Sequence, residues 1–132
     1  MSHPELDSGM GELDTIQLAV VIDTVTNKLI PLFRITMASR ARTFVILTMD
    51  LGDNQGAGHW ADRWIELAHN GDKSWQDAVW HKAVLCQRLE KWVEMMHWCD
   101  ALVNANPDYP EVVPLRNFAK KQLTDLLNEN TE

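Results

Sequence analysis

The chain has 132 residues, 12 of them basic and 19 acidic, for a formal net charge of −7. That length suits one domain, and the 45% apolar content is too high for a disordered chain. The negative balance excludes a general nucleic-acid binder, which needs a cationic surface to displace counterions, and no apolar run approaches the roughly 20 residues of a membrane span.

The start, Met1-Ser2-His3-Pro4-Glu5, is polar and acidic and does not read as a signal peptide. Cys86 and Cys99 are the only cysteines, and both fall inside apolar helical patterns. Two buried free thiols fit a reducing compartment better than a disulfide scaffold, so a cytoplasmic location is expected.

Residues 1–12 contain Pro4, Gly9, Gly11 and several acids, and are expected to be a flexible lead-in. A single helical domain is expected over 13–127, with 128–132 as a frayed tail. In the segment 13–38, Leu18, Ile22, Val25, Leu29 and Leu32 recur at steps of four and three, one stripe of a helix. The competing reading is β, because Leu18 to Val25 is rich in Val and Ile and Thr26-Asn27-Lys28 could turn a hairpin. Pro31 would kink a helix or suit an edge strand. The run Thr43 to Met49 has the same ambiguity. An α+β fold with a short N-terminal hairpin within 15–50 is therefore the alternative to an all-α fold.

Farther on, the punctuation is firmer. Gly52 to Gly58 holds three glycines in seven residues and predicts a loop. A helix follows with Trp60, Trp64, Leu67 and Ala68 on one face, ending at His69-Asn70-Gly71. Ser74 is the expected cap of the next helix, with Asp77 three positions on, and Val79, Trp80, Ala83, Val84 and Gln87 facing inward. After a break near Leu89-Glu90, the stripe Trp92, Met95, Met96, Cys99, Leu102 and Val103 is the cleanest in the chain. Trp98, Leu102 and Ala105 form a second apolar line, so this helix is expected to pack between neighbours. Asn106-Pro107-Asp108-Tyr109-Pro110 separates it from a last helix with Val112, Leu115, Ala119, Leu123 and Leu126 inward.

These helices read as short antiparallel pairs. At an offset of 34 residues, Trp64 matches Trp98, Asn70 matches Asn104, Val79 matches Val113 and Leu89 matches Leu123. The stretch from Leu89 to Tyr109 resembles the second helix and exit turn of a tetratricopeptide repeat. Trp92 stands at the aromatic position before the second helix, Asn106-Pro107 at the terminating proline, and Ala83 at the small position of the first helix. Met95, Leu102 and Lys82 depart from that pattern. The resemblance covers residues 75–126 and, more weakly, 41–74. It implies five or six helices in stacked hairpins, a concave groove for other polypeptides, and no chemistry of its own.

Motifs for chemistry are absent from the sequence. His81, Cys86, His97 and Cys99 are zinc-type residues, but their spacing matches no compact site. His97 and Cys99, two apart on a helix, point about 160° away from each other. The glycine stretch lacks Lys or Arg for phosphate, and Asp50 and Asp53 lack the pattern of a calcium loop. No metal, cofactor or enzymatic reaction is expected; a small enzyme using the Asp50–His59 stretch is the least favoured reading.

Two features point instead to protein binding. All six tryptophans lie between positions 60 and 98. Most are expected to fill the core, with Trp75 and Trp98 as candidate partner anchors. Between Thr24 and Met49 there is no acid, while Lys28, Arg34, Arg40 and Arg42 are present. That basic stretch suits an acidic partner or a second copy. The expected function is a non-enzymatic chaperone or adaptor that holds a helix or extended segment of another protein, with self-association as a further option. The alternative is an inhibitor, of the immunity or phage-encoded kind, capping a basic surface of its target. Neither nucleic acid nor membrane is an expected partner.

Overall fold

The computed structural model describes residues 15–22, 27 and 30–131. Among them it is all-α, with six helices and no strand. We number them α1 (residues 15–22), α2 (Ile30–Asp50), α3 (Asn54–Leu67), α4 (Lys73–Arg88), α5 (Trp92–Ala105) and α6 (Val112–Thr131). The hairpin alternative for 15–50 is thus replaced by helix. Both the Val/Ile-rich α1 and the run Thr43 to Met49 are helical. The lead-in at 1–12 and the basic Lys28 lie outside the described residues.

The chain divides into two units, Met1–Ile35 and Thr36–Glu132. The first contains α1 and the opening residues of α2. Pro31 stands in α2, beside its first described residue, so it lies in a helix and not in an edge strand.

In the second unit, α2 buries a stripe of small residues, Ala38, Ala41 and Val45. β-Branched residues are tolerated in this helix because packing overrides propensity. Its threonines return their hydroxyls to the preceding turn, Thr43 to the Ser39 carbonyl and Thr48 to the Phe44 carbonyl. α2 ends in a glycine turn. Gly52, at φ +77°, donates to the Met49 carbonyl and Asp53 donates to that of Thr48, which satisfies two terminal carbonyls.

The predicted glycine loop ends sooner than its composition suggests. Asp53 caps α3, its carboxylate accepting from the Gly56 N–H at 2.9 Å, and the helix already includes Gly56 and Gly58. A Cβ at Gly56 would collide with that carboxylate. The glycine is therefore the condition for the cap and not a loop signal. Ser74 is likewise not the cap of α4. Asp72 is, accepting from the Trp75 N–H at 3.0 Å. Ser74 sits in the first turn, where its Oγ accepts the indole N–H of Trp64 at 3.0 Å.

Three apolar clusters hold this unit together. Ala38, Ala41 and Val45 of α2 meet Ala61 and Trp64 of α3 and Ala78 of α4. Val79, Leu102 and Val112 join α4, α5 and α6. Ala83 and Cys86, Met95 and Cys99, and Ala119 join the same three helices farther along. The stripe on α5 is buried as its spacing predicts, at Met95, Cys99 and Leu102. α5 packs against both α4 and α6, as its two apolar lines require. On α6, Val112 and Ala119 are buried while Leu126 is exposed. The helix continues through Asn128 to Thr131.

The 34-residue offset does not coincide with the helix boundaries. α3 and α5 begin at Asn54 and Trp92, 38 residues apart, and α4 and α6 at Lys73 and Val112, 39 apart. The buried residues follow the longer interval: Ala57 with Met95, Ala61 with Cys99, and Trp64 with Leu102. Each trio is spaced i, i+4, i+7, the inner face of a helix. The sequence match at 34 pairs residues in different turns.

Candidate interaction surface

Five of the six tryptophans are partly buried and Trp64 is wholly so. Trp60 stacks on Phe44 with ring centroids 4.6 Å apart. Trp80 meets Tyr109, and Trp92 meets Phe118, each at 5.7 Å. The two candidate anchors share this behaviour. Trp75 on α4 packs against the Val79–Leu102–Val112 cluster, and Trp98 on α5 packs against that cluster and the Met95–Cys99 one. Both keep a minority of their surface exposed.

The basic candidates are distributed along α2. Arg34 lies in the part belonging to the first unit, and Arg40 and Arg42 are exposed in the second. Two residues apart on a helix, Arg40 and Arg42 leave it about 200° apart, so they do not form one patch. They also lie on a different helix from Trp75 and Trp98.

Partly buried polar side chains of the second unit serve its architecture. Tyr109 Oη donates to Asp77 Oδ1 at 2.7 Å, Lys73 Nζ, one turn earlier on α4, lies 2.8 Å from the same oxygen, and Asn106 Nδ2 donates to Gln76 Oε1 at 3.0 Å. The bonds from Tyr109 and Asn106 fasten the turn between α5 and α6 to α4. Burial alone would raise the Asp77 pKa, but the bonds from Lys73 and Tyr109 outweigh it and hold the carboxyl below its usual value. Burial, and the bond given to Asp77, push the Tyr109 hydroxyl up.

A cavity of about 230 Å³ opens between α3, α4 and α5, lined in part by Asn54, His59, Asp62, Lys82, Cys86 and Glu94. Lys82 is mostly buried there and pairs with Asp62 at 2.8 Å. Cys86 Sγ stands 3.9 Å from Glu94 Oε2. Burial pushes the Cys86 thiol to about 11, and Cys99 likewise to about 11. Both remain thiols near neutrality, which makes them poor nucleophiles. No group of three potential metal ligands occurs among the described residues. Of the Asp50–His59 stretch, the Asp53 carboxylate is engaged as the α3 cap.

The prominent surface feature lies elsewhere, in the first unit. Ile16, Leu18, Val20, Val21 and Ile22 on α1 are each between 55% and 66% exposed. Ile30, Phe33 and Ile35 are between 44% and 67% exposed. Of the expected stripe, Leu18, Ile22 and Leu32 are at the surface, and Val25 and Leu29 lie outside the described residues. The sequence signal was the filling of the other faces. At 100° per residue, Val21 joins the Leu18–Ile22 face, and Ile16 and Val20 take the opposite face that this stripe leaves open.

Compared with known proteins, the chain matches no family model, and no curated protein or solved structure matches it significantly. The likeness to tetratricopeptide repeats rests on the residues quoted for it. No helix among the described residues is long and apolar enough to cross a membrane.

Proposed function

We propose that this chain is a non-enzymatic association module, a small acidic chaperone or adaptor that works by burying apolar side chains of residues 15–35 against another polypeptide. One observation carries the reading. α1 presents five large apolar side chains, each more than half exposed. An apolar patch of this size exceeds what a monomer ordinarily leaves in water, and such patches mark interaction sites. The second unit is closed by three apolar clusters of its own, so it does not need residues 15–35 to complete its core. Two buried, protonated thiols suit a reducing compartment such as the cytoplasm.

The test compares affinity capture from the native cell by the wild-type chain and by Leu18→Glu/Val21→Glu. Polypeptides, copies of the chain included, should be retained by the wild type through a high-salt wash, since apolar contacts are not screened. The variant should lose them. Recovery of the same set by both proteins, or of none by either, overturns the proposal.

A further inference from the structure

We infer that the polypeptide covering residues 15–35 is a second copy of this chain, the two first units closing as a symmetric four-helix association. The inference rests on the association reading above and names its partner.

The argument starts from direction. On α1, successive residues turn by 100°, so Leu18, Val21 and Ile22 share one face of the helix, and Ile16 and Val20 leave it on the opposite one. All five are exposed by more than half. A groove on another protein covers one side of a helix. A helix with large apolar side chains on two opposite faces is stabilised only when neighbours cover both. At the start of α2, Ile30 and Phe33 share one face and Ile35 leaves on the opposite one. Each chain thus brings two short helical runs with the same requirement. Two chains bring four, the smallest common bundle in which apolar faces turn inward together. Twofold pairing uses the same patch on both copies and closes on itself.

Area and charge agree. Eight such side chains, exposed by about half to two-thirds, present on the order of 800 Å² per copy, the contribution of each partner to a standard stable interface. Residues 15–22 carry no charge, and Arg34 is the single charged residue among the described positions of this unit. Residues 15–22 bring no like charges to the approach of two such surfaces. The lack of charged groups on α1 also removes the usual means of choosing one foreign partner over another there. A second copy supplies a surface of the same composition. A membrane-surface anchor would be expected to carry a basic face, which the uncharged residues 15–22 do not supply.

The experiment is sedimentation equilibrium of the purified full chain over a wide concentration range, beside Leu18→Glu/Val21→Glu and Phe33→Glu. All six tryptophans lie in the second unit, so indole fluorescence reports its folding independently of the mutated segment. The wild type is expected at twice the chain mass. Each variant is expected at the monomer mass with unchanged fluorescence. A wild-type monomer at every concentration overturns the inference. So does a dimer that survives both variants, or growth without closure into larger species. If the wild type is monomeric yet captures a different polypeptide through α1, self-association fails while the association reading stands. If it is monomeric and captures nothing, both fail.

Discussion

The hydrogen bond between Trp64 and Ser74 makes a quantitative prediction about the second unit. Trp64 is fully buried, and the other buried members of its cluster are Ala38, Ala41, Val45, Ala61 and Ala78, with Met49, Trp60, Ile65, Leu67 and Ala68 packed against it from outside. The buried members are short and fixed to three helices, so they cannot collapse into space left by a lost indole. Trp64→Ala is therefore expected near the top of the usual range for such truncations, about 3–5 kcal/mol. The bond itself is probed by Ser74→Ala, which leaves the indole N–H buried without its acceptor at an expected cost of about 1–3 kcal/mol. Trp64→Phe removes the donor and part of the ring. In the double variant Trp64→Phe/Ser74→Ala no donor is stranded, so the two effects should fall short of additivity by about 1 kcal/mol. Guanidinium unfolding of all four proteins, followed by circular dichroism, measures the cycle. A Ser74→Ala cost below about 0.5 kcal/mol, or strict additivity, would refute the reasoning, because it would mean the N–H is satisfied otherwise.

Four further outcomes are expected. Glu90 adopts φ 56° at the end of α4; Glu90→Gly should raise stability by about 1 kcal/mol in thermal unfolding, since glycine takes this conformation without a Cβ penalty. Gly→Ala inside a helix normally stabilises, but Gly56→Ala should lower the melting temperature because the new Cβ meets the Asp53 carboxylate, and Asp53→Ala in the same chain should recover part of the loss. Asp77 has a lowered pKa, so its contribution is present above the unfolded value near 3.8 and is lost as pH falls through the folded one; Tyr109→Phe should flatten that acid limb of a stability–pH curve. Cys86 and Cys99 are raised from 9.0 to about 11, so they favour the fold below pH 9 and this support should fade between pH 9 and 11, with thiol labelling near neutrality following global unfolding.

The parts of the fold legible in the sequence are those where one residue face meets one environment. Met95, Cys99 and Leu102 fall on a helical period because α5 has helices on both sides. Asn106-Pro107 ends that helix because proline cannot continue it. Local chemistry was misread where a partner distant in sequence decided the outcome. Ser74 has the composition of a cap, yet its hydroxyl is taken by an indole ten residues earlier, and Asp72 does the capping. Gly56 reads as loop until the Asp53 carboxylate beside it is known. The 34-residue match at Trp64 and Trp98 rested on identity, whereas burial follows 38. At the surface, Arg40 and Arg42 were visible as charge, but their divergence round α2 was not. The Leu18–Ile22 stripe accounts for one apolar face of α1, while Ile16 and Val20 form a second. Periodicity says which residues are alike, and not whether anything covers them.

The bonds from Asn106 and Tyr109 back to Gln76 and Asp77 reach across 30 and 32 residues. During synthesis from the N terminus, α4 would leave the ribosome with those two side chains still facing water. Its polar complement arrives only once the turn beyond α5 has been made. The last three helices would then settle as one late event, and a nascent chain stalled before Tyr109 should remain open to proteases that the finished protein resists.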